Sequence, residues 1–358
     1  MEAPSEARRL PTMSRRSLTL MVAGLLVLVL GIAGAVMPVP YVVLSPGPTV
    51  NTLGDKNGKP LIQVTGHRTY PTSGHLNLTT VTYRGGPGAR LDLFTTLRAW
   101  FDPHMAVVPQ EALFPPNESQ QQVDQENAAQ MTGSQESATA AALRELGIGY
   151  KTVVSVGAVS KGMPADGKLR AGDVIEAVDG ENVTDADKTA RLISGRSPGK
   201  DVTLKIRRDG GNRDVTLTTA AGEHHKAMVG VAVRQKFQFP FNVRISVGDI
   251  GGPSAGTMFA LGLIDKLTPG ELSGGKFVAG TGEITPAGQV GPIGGIQQKV
   301  VGARNAGATI FLTPKDNCKD ALAARPDGLR LVKIDTLHDA VKALKALRTG
   351  TGDVPSCG

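Results

Sequence analysis

The sequence predicts an α+β protein with an N-terminal apolar helix, a mixed helix and strand body, and a separate β-rich unit. Three observations carry that reading. Leu18–Met37 runs for twenty residues without a charge. Residues 150–219 alternate short β-branched runs with glycine turns. Elsewhere, apolar residues at helical spacing alternate with short apolar strands. With 358 residues, 40% apolar and 20% charged, the chain can build two compact domains or one domain with an insertion.

The apolar segment reads "LTLMVAGLLVLVLGIAGAVM". At 1.5 Å per residue it spans roughly 30 Å, the thickness of a bilayer core. Arg8, Arg9, Arg15 and Arg16 precede or flank it. The positive-inside rule then predicts a cytoplasmic stub over 1–17, a transmembrane helix over 18–37 and an extracytoplasmic remainder. Two other readings compete. Ala33-Gly34-Ala35 could be a signal-peptide cleavage site, and "SRRSLTL" is close to a twin-arginine signal. The run exceeds the roughly 7–15 apolar residues of a signal core, which favours an uncleaved anchor. All three readings place the rest of the chain outside the cytoplasm.

The Pro- and Gly-rich stretch 38–60 predicts a connector leading into short strands. "HLNLTTVTY" (75–83) alternates as a strand does. Leu91, Phe94, Leu97 and Phe101 give a helical period. The polar "PPNESQQQVDQEN" (115–127) predicts a surface loop, and the alanine-rich "SQESATAAALRELG" (134–147) a helix with Gly147 at its end. Within the β-rich unit, "DADKTARLISG" is a short helix and Asp209-Gly210-Gly211-Asn212 the turn of a hairpin. Beyond it come the strand "FNVRISVG", an apolar helix after Ser254, a helix over about 296–306, the strand "TIFLTP" and a last helix "LHDAVKALKALR".

Composition narrows the function. Lys plus Arg number 39 and Asp plus Glu 32, a net charge of +7. No long basic run is present, and one Trp and four Tyr give little to interleave with basic residues, which argues against nucleic acid as a partner. The two cysteines, Cys318 and Cys357, form no metal-ligand spacing, so no metal is expected. They suit either a disulfide tying down the tail of an extracytoplasmic domain or two unrelated thiols. "GELSGGKF" (270–277) nearly spells a phosphate-binding loop, but Phe277 stands where a hydroxyl must hold magnesium, so no nucleotide is expected.

"GMPADGKLRAGDVIEAVDGENV" (162–183) resembles the core of a PDZ domain. Leu169, Val174, Ile175 and Val178 would pack a small barrel, with Gly172 and Gly180 in its tight turns. PDZ domains bind extended peptides by adding a strand to an open edge. The strand containing Val153 and Val154 is the expected edge, and "GIGY", with Gly147 and Gly149, the expected carboxylate loop.

"GGPSAG" (251–256) puts Ser254 behind glycines at a helix mouth. Unpaired N–H groups and the helix dipole there would stabilise an oxyanion. The plain alternative is an N-cap serine, worth about 1 kcal/mol. A second stretch, "AGTGEITPAGQVGPIGGIQQKVVGARNAGA" (279–308), decides between them. Together the two stretches resemble the proteolytic domain of the Lon family. The resemblance implies Ser254 as nucleophile and Lys299, ending the G-G-x-x-x-K segment, as its base. It also implies a positioning role for Thr281, whereas Gly251 and Gly252 are expected to serve the oxyanion or positioning because, without a Cβ, they let backbone approach a substrate carbonyl. Physically, a lysine acts as a base only when neutral, and burial among residues such as Ile293, Ile296, Val300 and Val301 lowers its pKa.

"MTGSQESATAAALREL" (131–146) and "HLNLTTV" (75–81) resemble further parts of the same domain, so the PDZ unit would be an insertion. The expected boundaries are 38–147 and 223–348 for the Lon-like parts, 148–222 for the PDZ unit and 349–358 for a tail. The order of parts resembles bacterial PDZ-domain-containing Lon-like proteases of the YlbL type. Lon proteins carry an ATPase module and this sequence shows none, so the resemblance implies ATP-independent cleavage of unfolded or flexible extracytoplasmic segments. No cofactor is expected, protein or peptide substrates are, and ring assembly into hexamers or trimers is common to such domains. Gly251 departs from the family, where many sequences have an acidic residue. A non-enzymatic, membrane-tethered PDZ adaptor is the competing function.

Overall fold

The computed structural model describes residues 15–358 except 57, 117, 223, 224 and 249. Most of the expected stub, with Arg8 and Arg9, and also His224, lie outside the described residues. Eight helices are described: α1 Arg15–Val36, α2 Leu93–Trp100, α3 Gln120–Glu145, α4 Ala186–Ser194, α5 Gly256–Leu267, α6 Ile296–Asn305, α7 Cys318–Ala323 and α8 Leu337–Thr349. α1 is long and apolar enough to cross a membrane, with mean hydropathy 2.5 and 6% of its apolar window buried.

One six-stranded sheet runs in the order Arg330–Ile334, Ile310–Pro314, Phe277–Gly280, His75–Arg84, Tyr41–Asn51, Ala106–Pro109. The first four strands are mutually parallel; Tyr41–Asn51 is antiparallel to both of its neighbours. Side chains alternate across a strand, and here the alternation sorts the core into two layers. Leu76, Leu78, Val278, Ile310, Leu312, Val332 and Ile334 pack with α3, α5 and α8. Ala279, Phe311 and Leu331, one residue out of step, pack with α6 and α7. Two layers of helices on a largely parallel sheet leave its strands buried on both faces.

The second sheet runs Gly211–Thr218, Asp201–Arg208, Val174–Val178, Lys151–Val159, Val231–Gln238, with Glu181–Asn182 paired beside Val174–Val178. Val154, Val156, Leu169, Ile175, Val178, Val202, Leu204, Ile206 and Leu217 form its own core with Ile193 of α4. Its hairpin closes on Asp209-Gly210, at φ 51° and 80°, the pairing a two-residue primed turn requires. The chain enters this unit after α3 and returns at Asn242–Ile245, which pairs with Ile62–Thr65 beside the first core.

Several expectations change. The stretch expected as a connector forms the eleven-residue strand Tyr41–Asn51, and its Pro46-Gly47-Pro48 sits at a break in register between Pro46 and Thr49. Prolines are tolerated there because a bulge needs no ladder hydrogen bond. The expected loop over 115–127 is mostly helix: α3 starts at Gln120 through a capping box between Ser119 and Gln122. Its first turns carry polar residues, which hid the start. Val231–Gln238, within the expected 223–348 part, pairs into the sheet of the β-rich unit. The expected peptide edge, Lys151–Val159, is paired on both sides, by Val174–Val178 and by eight residues of Val231–Gln238. Val153 and Val154 therefore stand inside the sheet, opposite Lys236 and Gln235. Gly147 ends α3 at φ 69°, and its N–H donates to the Arg144 carbonyl. Gly270–Phe277 leads from α5 into the strand Phe277–Gly280. Helix before strand is the reverse of a phosphate-binding loop.

Candidate active site

The site forms where α5 begins and α6 passes beneath it. α5 is buried along nearly its whole length, from Gly256 to Leu267. Its N-cap position is Ala255, with no side-chain cap bond, so Ser254 is not a capping serine. The Ser254 hydroxyl instead accepts a hydrogen bond from Lys299 Nζ at 2.8 Å. Lys299 lies on α6 and is 3% exposed.

Thr281 ties the two together. Its hydroxyl donates to the Ser254 carbonyl at 2.9 Å and accepts from Lys299 Nζ at 3.1 Å. The Gly282 N–H donates to the same Ser254 carbonyl at 2.9 Å. In return, the Gly282 carbonyl accepts from the N–H and the hydroxyl of Thr257, each at 3.1 Å. The serine backbone is thus clamped from the segment that follows Phe277–Gly280, and its side chain is left to the lysine.

Among the described residues, the Lys299 ammonium donates to two neutral hydroxyls. Burial is the main cause that pushes its pKa down from 10.5 to about 8, partly offset by the Glu283 carboxylate. About a tenth is therefore uncharged at pH 7, and about half at pH 8. Gly295, at φ 67°, starts α6 in a left-handed conformation. A Cβ there would stand 2.6 Å from Val81 Cγ2, so only glycine lets α6 lie this close to His75–Arg84.

The glycines before Ser254 act differently from the expectation. The Gly252 N–H donates to the Asn127 carbonyl of α3 at 3.1 Å and is not available to an oxyanion. A Cβ on Gly251 would meet Asn127 Cβ at 2.7 Å. Its bareness lets α3 approach, and an acidic side chain there would collide with that helix. Among the described residues, the N–H groups of Gly251, Ser254 and Ala255 have no acceptor. α3, which the sequence reading placed in the fold but not at the site, also sends the Ser134 hydroxyl to the Pro253 carbonyl at 2.9 Å.

A cavity of about 1220 Å³ opens over Ser254 and Lys299. Thr80, Tyr83, Asp124, Asn127, Gln135 and Val247 are among its walls. His75–Arg84 pairs with Phe277–Gly280 only as far as Leu78. Past that point its edge toward the cavity is open among the described residues. No group of three or more His, Cys, Asp or Glu among the described residues is placed to hold a metal. The tail is fixed by two contacts: a disulfide joins Cys318 to Cys357, and the Lys333 N–H donates to the Pro355 carbonyl at 3.0 Å.

Comparison with known proteins finds matches to two family models. Residues 227–346 match the family model of the Lon protease (S16) C-terminal proteolytic domain, and residues 123–219 match that of the PDZ domain. A Lon protease of Azospirillum brasilense is 42% identical over 95 residues, 25% of this chain and 11% of that protein. Lon protease 1 of Bacillus subtilis is 49% identical over 69 residues, 19% of this chain and 9% of that protein. The chain spans about a tenth of the length of these relatives. The PDZ domain of an SdrC-like protein from Listeria innocua is 26% identical, with a TM-score of 0.22, covering 23% of this chain and 92% of that one. The chain carries a PDZ domain and a Lon protease (S16) C-terminal proteolytic domain.

Proposed function

We propose that this protein is a membrane-anchored, ATP-independent serine endopeptidase that uses a Ser254–Lys299 dyad. The observation that carries the reading is the 2.8 Å contact between a buried amine and a hydroxyl at the floor of a large cavity. Neutral Lys299 takes the Ser254 proton as Oγ attacks a peptide carbonyl. The resulting ammonium protonates the leaving amine, and Lys299 then activates the water that hydrolyses the acyl-enzyme. Free N–H groups at Ser254 and Ala255, at the mouth of α5, would hold the oxyanion. Thr281 keeps the amine aimed.

An extended substrate fits the open edge of Thr80–Tyr83, where strand addition supplies main-chain hydrogen bonds independent of sequence. Such binding selects unfolded or flexible segments. α1 would anchor the enzyme with the sheets outside the cytoplasm, where a disulfide persists. In the PDZ unit, the strand open to a peptide is Val231–Gln238, whose Gln235 side chain accepts from the Ala186 N–H at the start of α4. A recruited chain end would lie there.

The test is cleavage of an unfolded protein such as casein by the full chain. Ser254→Ala and Lys299→Met should each abolish it without altering the circular dichroism of the protein. Full activity in either variant would refute the dyad. Folded protein with no activity in the wild type under any condition would leave the tethered adaptor as the function.

A further inference from the structure

α2 is built inside out. The residues it buries are Thr96 and Ala99. Its large side chains point away from the core: Leu93, Phe94, Leu97, Trp100 and the following Phe101 are 40%, 51%, 44%, 66% and 84% exposed. Their positions, i, i+1, i+4, i+7 and i+8, form one continuous stripe on a helix. A soluble surface does not expose five such residues together without a partner.

The position of this stripe indicates the partner. A Cβ on Gly34, in the last turn of α1, would lie 3.2 Å from the Phe94 ring and 3.6 Å from Leu93. The Val39 N–H donates to the Leu91 carbonyl at 2.9 Å, and Pro38 bridges to Asp92. α2 is therefore fastened to the point where the apolar span of α1 ends, at the level where a bilayer gives way to water. Beside the stripe is a cavity of about 330 Å³ lined by Ser45, Arg84, Thr95 and Arg98, with Val43 and Met105 on its apolar side. Neither arginine has an ion pair or side-chain hydrogen bond among the described residues. Two unpaired arginines at the rim of one small cavity suit a phosphate group, its apolar wall suits the start of an acyl chain, and aromatic rings beside it suit the headgroup level of a membrane.

We propose that α2 and the Arg84–Arg98 cavity form a docking surface for an anionic phospholipid of the membrane that α1 spans. The stripe lies among the upper acyl chains and the two guanidinium groups hold the lipid phosphate. This surface fixes the tilt of the six-stranded sheet over the bilayer. The inference rests on the reading of α1 as an anchor.

Trp100 is the sole tryptophan of the chain, so intrinsic fluorescence reports on this face alone. The full chain is reconstituted into phosphatidylcholine vesicles with and without phosphatidylglycerol, and flotation reads the anchor separately. The expected result is protection of Trp100 from aqueous iodide and quenching by lipids brominated high in the acyl chain. Phosphatidylglycerol should strengthen that quenching, and Arg84→Gln with Arg98→Gln should remove the increment. Leu97→Glu with Phe101→Glu should lose the quenching while the protein still floats. If the wild type floats but Trp100 stays open to iodide and unquenched by lipid, docking is refuted and the anchor stands. Protection from both quenchers would mean that a second copy covers the face, which also refutes it. A chain that does not float refutes anchor and docking together. If inorganic phosphate added to the detergent-solubilised chain reproduces the arginine-dependent change, the cavity is a free-phosphate site and the lipid assignment is overturned.

Discussion

Lys299 Nζ donates to Ser254 Oγ across 45 residues of sequence, from the first turn of one buried helix to the mouth of another. The contact is unusual in that nothing charged balances the amine at hydrogen-bond distance. Its two partners among the described residues are hydroxyls, and one of them, Thr281, itself donates to the serine carbonyl. The pair thus holds a lysine that loses its proton more easily than an exposed one.

Thr281→Val should leave the fold intact and lower kcat by about tenfold, the worth of one or two lost hydrogen bonds. Thr281→Ser should restore most of the loss. Steady-state kinetics check both. A positioning role predicts that KM changes little, because Thr281 does not line the described cavity wall.

The buried amine also makes stability depend on pH. Below about pH 8, Lys299 is protonated in folded and unfolded chains alike, and the folded state carries the full cost of burying the charge. Between about 8 and the ordinary 10.5, the unfolded chain holds a proton that the folded one has released, so stability rises with pH. Above that window both are neutral and the gain ends. The total is on the order of 3 kcal/mol. Lys299→Met should lose this rise. Denaturant midpoints for the two proteins across pH 7 to about 10.5 measure it.

Gly295→Ala introduces both a left-handed residue and a contact 2.6 Å from Val81 Cγ2. A cost of about 1–3 kcal/mol in stability follows from the backbone conformation alone. Because α6 must shift to relieve the contact, activity should fall further than stability does. Thermal unfolding and casein cleavage, measured on the same preparation, separate the two effects.

The Cys318–Cys357 disulfide closes a loop of 39 residues that carries Arg330–Ile334 and α8. Loop-closure entropy gives it a worth of about 4 kcal/mol at most. Cys357→Ser should lower the denaturant midpoint while leaving cleavage by the folded protein unchanged, since no residue of the tail lines the cavity over Ser254 and Lys299.

The site was legible in the sequence because its chemistry is compressed into short motifs. The resemblance of those motifs to the Lon proteolytic domain named Ser254 and Lys299 as a pair, and their side chains lie 2.8 Å apart. The role of Gly252 could not be read in this way, because its N–H is taken by a carbonyl of α3, a tertiary contact between residues 127 and 252. Gly251 likewise is bare for the sake of Asn127. In the fold, the period of α2 was readable but its orientation was not: spacing marks a stripe without saying which way the stripe faces. α3 began fourteen residues earlier than its alanine-rich part suggested, at Gln120 rather than 134, although the Ser119–Gln122 box stood in the sequence as a start signal. The pairing of Val231–Gln238 with Lys151–Val159 could not be read, because partners about eighty residues apart leave no local trace.

The most direct test of the central claim is the rate at which a fluorophosphonate labels Ser254 as a function of pH. If Lys299 is the base, labelling falls on Ser254, rises with pH through an apparent pKa near 8, and collapses in Lys299→Met. Labelling of another residue, or a rate on Ser254 that is flat from pH 6 to about 10 and indifferent to Lys299→Met, would contradict it.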